Sequence, residues 1–179
     1  MSLKIILGSM FSGKSSEIIR IIKRYRILNK HLLIINHSID NRYDTSKIVT
    51  HDQEKIDCLA TDKLMPLIES SDYQKSDVIV IEEAQFFKDL FDFVTLSVDT
   101  HNKTLVIAGL DGDYKREPFG DILRLIPHAE SVNKLHALCT LCGDGTKASF
   151  TKRLVNNNQC VLVGSTESYI PVCRKHFNS

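Results

Sequence analysis

Runs of apolar residues that lack polar alternation recur along this sequence and are separated by amphipathic or polar stretches. Four such runs, rich in Ile, Val and Leu, occupy residues 3–7, 32–36, 78–81 and 104–108. Strands that are covered on both faces have this composition, because neither face meets water. The pattern therefore predicts parallel strands at the centre of a sheet.

Helical periodicity follows the first of these runs. In residues 15–29 the side chains of Ile18, Ile21, Ile22, Tyr25 and Leu28 repeat at intervals of three and four, with basic residues between them. That spacing places one apolar stripe on a helix. Alternation of strand and helix predicts an α/β fold, a parallel sheet flanked by helices.

Two further helices and one loop are predicted from weaker signals. Thr61 or Asp62 is a candidate N-cap for a helix that runs towards Ser70, and residues 86–100 carry apolar positions at helical spacing. Residues 37–55 show no clear period and are predicted to form a functional or mobile loop.

The sequence pattern changes beyond Pro127. Short β-like segments at residues 132–138, 147–151 and 160–163 are separated there by Gly, Asn and Asp. We therefore predict two domains, an α/β domain over residues 1–130 and a small β-rich domain over residues 131–179. The second is too small to fold on apolar burial alone.

Composition and charge exclude several classes of protein. With 42% hydrophobic and 25% charged residues the 179-residue chain is neither disordered nor fibrous. A net charge of +1 provides no broad surface for a nucleic acid polymer. No apolar run approaches the ~20 residues of a membrane helix, and the first residues lack a secretory pattern. We expect a cytoplasmic protein without a membrane partner.

A phosphate-binding loop follows the first predicted strand. Residues 8–15 fit the pattern G-x-x-x-x-G-K-[ST] and open the predicted helix. Backbone N–H groups of such a loop surround phosphate oxygens, the lysine reaches the β- and γ-phosphates, and the hydroxyl binds Mg²⁺. The alternative is a glycine-rich turn that caps a helix. The predicted ATP-binding residues are Gly8, Ser9, Met10, Phe11, Ser12, Gly13, Lys14 and Ser15.

Two glutamates, Glu82 and Glu83, follow the apolar run at residues 78–81. The carboxyl ends of parallel strands are where open α/β sheets bind ligands. One carboxylate at this place can hold Mg²⁺ and its neighbour can orient or deprotonate the attacking group. The alternative is that both stabilise the start of the following helix.

Four residues near the end of the chain have the spacing of metal ligands. Cys139-x-x-Cys142 and Cys173-x-x-His176 form two pairs about thirty residues apart. Their number and type predict a closed, structural tetrahedral Zn²⁺ site. Disulfides are the alternative, and Cys58 and Cys160 remain outside the pattern.

Three motifs stand in one order along the chain: the phosphate loop, residues 81–87 (Ile-Glu-Glu-Ala-Gln-Phe-Phe), and Leu110-Asp111-Gly112. With this ordered set the sequence resembles the type II thymidine kinases of animals, bacteria and large DNA viruses over nearly its whole length. Further matching pieces are Asp40-Asn41-Arg42-Tyr43, Lys115-Arg116-Glu117-Pro118-Phe119, Phe150-Thr151-Lys152-Arg153 and Val172-Cys173-Arg174-Lys175.

The resemblance implies specific roles for residues that match the family's motifs. Glu83 would be the base on the 5′-hydroxyl, Asp40 would help with Mg²⁺, and Arg42 with phosphate charge. Glu82 stands where the family has Asp, and its longer side chain changes the reach to the metal. The residues implied to bind the nucleoside are Met10, Gln85, Phe86, Leu110, Tyr114, Phe119, Thr151, Cys160, Val161, Leu162, Val163, Gly164 and Tyr169.

The implied reaction is transfer of the γ-phosphate of ATP to thymidine, with Mg²⁺ and structural Zn²⁺ as cofactors and with tolerance of deoxyuridine. Kinship also implies a homotetramer and feedback inhibition by thymidine triphosphate. Two other classes remain to be distinguished: a P-loop ATPase or switch GTPase, and a zinc-ribbon module that binds nucleic acid or protein. The chain lacks a guanine-reading Asn-Lys-x-Asp motif.

Overall fold

A parallel six-stranded sheet forms the centre of the molecule. The computed structural model describes residues 1–39, 47–49, 55–154 and 168–179. The strands are β1 (Ser2–Gly8), β2 (Leu32–His37), β3 (Lys47–Val49), β4 (Lys55–Asp57), β5 (Leu59–Thr61), β6 (Val78–Ile81), β7 (Thr104–Gly109), β8 (Ser131–Leu135), β9 (Ala137–Leu138), β10 (Lys147–Ala148), β11 (Phe150–Arg153) and β12 (Tyr169–Val172). The strand order in the central sheet is β5-β2-β6-β7-β1-β8. The four strands predicted from apolar runs are confirmed as β1, β2, β6 and β7.

Helix α1 (Lys14–Ile27) packs on one face of this sheet. Its residues Ile18, Ile19, Ile21 and Ile22 are buried against alternate positions of β1, β2, β6 and β7. The predicted helix ran to residue 29, but Asn29 takes a positive φ of 51°, which ends the helix and leaves Leu28 65% exposed. Among the described residues, none of the helices has the length and apolar character needed to cross a bilayer.

The opposite face of the sheet is covered by short helices rather than by the two long ones that were predicted. Leu59–Thr61 pairs with β2 as a strand, so Thr61 caps no helix. A 3₁₀-helix at Met65–Glu69 follows, and Ser70 caps α2 (Ser71–Lys75) by accepting a hydrogen bond from the Tyr73 N–H.

The helix predicted over residues 86–100 begins later and changes its winding. Ala84–Phe86 is a 3₁₀ turn that ends because Phe87 is extended. Helix α3 (Leu90–Thr95) then continues as a π-helix over Leu96–Thr100. Its buried Leu90, Phe93 and Val94 complete the second core, so both faces of the sheet are covered.

The predicted loop at residues 37–55 contains regular structure. His37 belongs to β2, and β3 pairs antiparallel with β4. Ile48 and Ile56 face each other across this hairpin and are buried in the core beneath α1. A three-residue strand is too short to show periodicity, which is why the pattern missed it.

The β-rich end of the chain holds two small antiparallel pairs, β9 with β10 and β11 with β12, followed by α4 (Arg174–Asn178). The domain division at residue 130 stays a prediction. Strand β8, however, pairs in parallel with β1, so the central sheet extends beyond that point. The piece predicted at residues 160–163 lies outside the described residues.

Candidate functional site

The phosphate loop joins β1 to α1 in a conformation that its glycines make possible. A Cβ on Gly8, whose φ is 156°, would lie 2.5 Å from Ser12 Oγ and 2.7 Å from the Leu135 carbonyl oxygen. Gly13 caps α1 at a φ of 84°. The Lys14 ammonium donates to the carbonyl oxygens of Gly8 and Ser9 at 3.2 and 3.0 Å, which holds the cation against the loop.

Two hydroxyls of this loop are buried, and Ser9 Oγ and Ser12 Oγ have no hydrogen-bond partner in the described part of the chain. A buried hydroxyl without a partner is unfavourable by about 1–3 kcal/mol. An anion with several acceptor oxygens, such as a nucleotide phosphate, would satisfy both hydroxyls. The chemistry of the loop therefore fits phosphate.

The two glutamates after β6 have different surroundings. Glu82 is 5% exposed, and its Oε1 accepts a hydrogen bond of 2.6 Å from Ser15 Oγ. Glu83 takes a positive φ of 52°, lies half-buried, and accepts a bond of 2.6 Å from Gln85 Nε2. The Ser15 hydroxyl and the Glu82 carboxylate together offer the oxygen ligands that Mg²⁺ prefers.

Gln85 connects this acidic pair to the loop after β7. Its side chain is buried, and its Oε1 accepts a bond of 3.0 Å from the Leu110 N–H. Gly120, with a φ of 61°, lies so close that a Cβ there would come within 2.2 Å of the Gln85 carbonyl oxygen. The position of Glu83 thus depends on backbone packing from the chain beyond β7.

His37 ends β2 beside the same turn. Its ring centroid lies 5.6 Å from that of Phe86 and 4.6 Å from that of Phe87. Burial lowers the pKa of His37, although the carboxylates of Asp62, Glu83 and Asp89 act in the opposite direction. The neutral ring that burial favours packs against both phenyl groups.

A pocket lies next to the phosphate loop, and Met10 belongs to both. The Met10 N–H donates to Thr151 Oγ1 at 3.0 Å, which ties the loop to β11. Most of the lining is apolar or aromatic, as in pockets that bind small molecules. The lining residues are Met10, Leu110, Gly112, Asp113, Tyr114, Phe119, Thr151, Arg153 and Tyr169.

The four predicted metal ligands come together at the end of the chain. The Cys142 and Cys173 sulfurs are 3.8 Å apart. His176 Nδ1 lies 3.5, 3.4 and 3.5 Å from the sulfurs of Cys139, Cys142 and Cys173. Tetrahedral zinc with Zn–S of about 2.3 Å and Zn–N of about 2.0–2.1 Å requires S···S near ~3.8 Å and S···N near ~3.5 Å. The four residues can hold a metal ion.

The close packing of these ligands disfavours the charged form of Cys142. Burial, followed by hydrogen bonds with the thiols of Cys139 and Cys173, raises the pKa of Cys142 to about 11. A divalent ion at the centre would reverse that shift and hold the ligands as thiolates. All described cysteines are free, so the disulfide alternative does not hold for them.

Comparison with known proteins agrees with these features. A family model described as thymidine kinase matches residues 1–177. The chain belongs to the thymidine kinase family.

Relatives in the family include plant and viral proteins. A thymidine kinase of Oryza sativa subsp. japonica is 42% identical over 177 residues, which cover 97% of this chain and 65% of the rice protein. Thymidine kinase a of Arabidopsis thaliana is 43% identical over 97% of this chain and 73% of its own length. The thymidine kinase of Fowlpox virus (strain NVSL) is 41% identical over 99% of this chain and 97% of its own length. The chain thus spans just under two thirds of the rice relative and nearly all of the viral one.

The structure brings together many of the residues that the resemblance to thymidine kinases implied. Six predicted substrate residues line the pocket: Met10, Leu110, Tyr114, Phe119, Thr151 and Tyr169. Phe86 lies behind it, with its ring edge-on to Phe119 at 5.3 Å. Gln85 contacts the backbone of Leu110 and the carboxylate of Glu83. The predicted Asp40, Arg42, Cys160, Val161, Leu162, Val163 and Gly164 lie outside the described residues.

Sequence reasoning missed several residues that line this pocket or pack beside the acidic turn. Gly112 and Arg153 lie within motifs that carried the resemblance, and they could have been found from those motifs. Asp113 lies directly after the Leu-Asp-Gly motif that ends at Gly112. For His37 the sequence held no signal, because the Phe86 and Phe87 rings on which it packs approach it only in the fold.

Proposed function

We propose that the protein transfers the γ-phosphate of ATP to the 5′-hydroxyl of thymidine. The observation that carries the proposal is that the pocket and the phosphate loop share Met10, whose N–H bonds to Thr151. A nucleoside in the pocket would therefore lie next to the terminal phosphate of a nucleotide on the loop. Family membership supports thymidine as the acceptor.

In this proposal Glu83 is the base that accepts the proton of the 5′-hydroxyl. Its half-buried carboxylate is oriented by Gln85 Nε2, and Gln85 also binds the Leu110 N–H of the pocket wall. The base and the acceptor pocket are therefore positioned by the same side chain. General bases must lie within hydrogen-bond reach of the proton that they remove.

The negative charge of the ATP phosphates would be stabilised by the phosphate loop and by cations. Lys14, which already lies against the loop carbonyls, would move to the β- and γ-phosphates, with Arg42 assisting. Ser15, Glu82 and Asp40 would hold Mg²⁺, which offsets charge that develops in the transfer. Glu82 reaches Ser15 Oγ, so its longer side chain is compatible with this assignment.

Recognition of the base would fall to Thr151, Tyr169 and residues 160–164, with Met10, Leu110, Tyr114 and Phe119 around the sugar and base. We propose that deoxyuridine is also accepted, because it differs from thymidine by a single methyl group. One methyl group in an apolar pocket discriminates by only about 1–3 kcal/mol.

The metal at Cys139, Cys142, Cys173 and His176 is proposed to be structural zinc, because all four positions are taken by protein ligands. Kinship further suggests a homotetramer that thymidine triphosphate inhibits. From the sequence pattern we also propose a cytoplasmic location and a division into domains at residue 130. Light scattering tests the assembly, and inhibition kinetics test the regulation.

The experiment that tests the function measures ADP release with Mg²⁺, with and without thymidine, deoxyuridine, deoxycytidine and purine deoxynucleosides. We expect release that depends on thymidine, less with deoxyuridine, and none with purines. ADP release at the same rate with and without each nucleoside would instead identify a P-loop ATPase or switch protein.

A further inference from the structure

Arg153 is a charged residue in the largely apolar wall of the pocket, and it contacts two aromatic side chains there. It ends β11 and lies directly opposite Tyr169 of β12 in the antiparallel register. Its guanidinium carbon is 3.7 Å from the centroid of the Tyr114 ring. Its Nη2 donates a hydrogen bond of 2.6 Å to Tyr169 Oη. One planar cation therefore joins two walls of the pocket.

These two walls come from different parts of the chain. Tyr114 lies in the loop after β7, and Tyr169 begins β12 near the end of the chain. Among the described strands, β12 pairs with β11 and not with the Tyr114 loop. The Arg153 side chain supplies a connection that the sheet hydrogen bonds do not.

A guanidinium group is suited to both contacts at once. Its flat face stacks on an aromatic ring, and its N–H donors lie in the plane and point outward. A lysine ammonium is a compact charge that can face a ring or bond a phenol but does not reproduce the flat stack. Arginine and lysine are thus distinguishable at this position.

We infer that Arg153 is a positioning residue that holds Tyr114 and Tyr169 in place as walls of the nucleoside pocket. The inference rests on the proposed function, since it assigns the pocket to the acceptor. Arg153 acts through the two tyrosines and not on the reacting atoms. Because the rings are ordered before the nucleoside arrives, binding does not have to order them.

Loss of this connection should affect acceptor binding more than phosphoryl transfer. For Arg153→Met, which keeps an unbranched apolar stem, we expect the KM for thymidine to rise about tenfold. The kcat should stay within about threefold and the KM for ATP should not change, because the phosphate loop and Glu83 are untouched. Arg153→Lys should give a smaller rise in KM.

A double-mutant cycle with Tyr169→Phe tests whether Arg153 acts through the phenol. Tyr169→Phe keeps the ring and removes the oxygen that accepts the Nη2 bond. If the inference holds, Tyr169→Phe reproduces part of the KM rise, and the double variant shows less than the product of the two single effects. Multiplicative effects would mean that Arg153 contacts the nucleoside directly, which would overturn the inference.

Arg124→Met is the matched control. Its guanidinium carbon lies 4.3 Å from the Phe91 ring centroid, in an exposed stack outside the pocket. It should leave both KM values unchanged. A fall in kcat at constant KM for Arg153→Met, together with a lower melting temperature, would show a merely structural role and contradict the inference.

Wild-type turnover in the same assay separates the two claims. If wild-type protein phosphorylates thymidine and Arg153→Met has an unchanged KM, the inference fails and the proposed function stands. If wild-type protein does not phosphorylate thymidine, both fail. Should Arg153→Met not fold, Arg153→Lys and Tyr169→Phe carry the test, and an unchanged KM in both would overturn the inference.

Discussion

At the scale of single residues, Glu82 and Glu83 are adjacent in sequence yet have different partners. Glu82 continues the line of the strand, and its N–H bonds to the Ile35 carbonyl of β2. Glu83 turns into the left-handed region, which directs its carboxylate to Gln85 rather than to Ser15. A backbone turn of one residue thus separates a carboxylate suited to metal from one suited to proton transfer.

Replacing Glu83 with Gln tests its proposed role as the base. Glu83→Gln keeps size and an acceptor oxygen for Gln85, but it cannot take a proton. We expect kcat to fall at least ~100-fold while thymidine and ATP still bind. Steady-state kinetics and calorimetric binding measure the two effects. Glu69→Gln, which replaces an exposed glutamate, is the control. Near-normal turnover of Glu83→Gln would show that Glu83 is not the base.

Gly120 tests the packing that supports the turn at Glu83. Gly120→Ala places a Cβ 2.2 Å from the Gln85 carbonyl oxygen and forces a side chain at a φ of 61°. Gly143→Ala is matched in φ, at 67°, but its Cβ meets no atom within 4 Å in the described structure.

We expect Gly143→Ala to lower the free energy of unfolding by about 1 kcal/mol from backbone strain alone. Gly120→Ala should lower it by about 3 kcal/mol or more and should also reduce kcat, because Gln85 must shift. Urea unfolding measures both variants. Equal losses of stability in Gly120→Ala and Gly143→Ala would mean that the backbone around Gln85 shifts at little energetic cost.

At the scale of elements, the sequence predicted the buried central strands well and the short helices poorly. Residues 78–81 carry an uninterrupted apolar run, and their structure as β6 follows from that run alone. The sequence of residues 59–61 alone does not predict a strand. Their pairing with β2 is a tertiary interaction, which overrides the local capping signal of Thr61.

Lys103 shows how one side chain completes an element that has few hydrogen bonds of its own. Its ammonium donates to the carbonyl oxygens of Tyr73, Gln74 and Ser76, at 3.0, 3.1 and 2.7 Å, at the end of α2. A five-residue helix leaves most of its carbonyls without helical partners.

Lys103→Met should therefore lower the free energy of unfolding by about 1–3 kcal/mol, because it removes a charged donor from these carbonyl oxygens while it keeps the apolar stem. The Tyr73 oxygen keeps its bonds from the Ser76 N–H and hydroxyl, so the loss falls on Gln74 and Ser76. Chemical denaturation measures the change, and Lys88→Met at an exposed lysine is the control. A loss of stability no larger than that of the control would mean that water replaces the ammonium without penalty.

At the scale of the whole molecule, metal ligands were easier to predict than the pocket. Each ligand pair is local in sequence, so the spacing alone identified Cys139, Cys142, Cys173 and His176. The pocket is assembled from the phosphate loop, the chain after β7, β11 and β12. Apart from the resemblance, no sequence pattern tells which side chains of four distant segments will meet.

Removing the metal should destabilise this end of the molecule. The cluster lies in a small core that includes Ala137, Ala148 and Val172 and that contacts Phe11 of the phosphate loop. We expect a zinc chelator, or Cys142→Ser, to lower the melting temperature by roughly 10 °C or more, since metal binding contributes folding free energy.

Scanning calorimetry, together with metal analysis of the purified protein, measures this effect. Cys58→Ser is the matched control, because Cys58 lies outside the cluster. Metal-free protein that melts at the same temperature as the loaded protein would contradict a structural metal.

We propose that the pocket beside the phosphate loop accepts a nucleoside for phosphorylation. The most direct measurement follows the label from ATP radiolabelled at the γ-phosphate, incubated with Mg²⁺, thymidine and the purified protein. We expect the label to appear in thymidine 5′-monophosphate and Glu83→Gln to suppress its transfer. Label that appears only as inorganic phosphate, at a rate independent of thymidine, would contradict it.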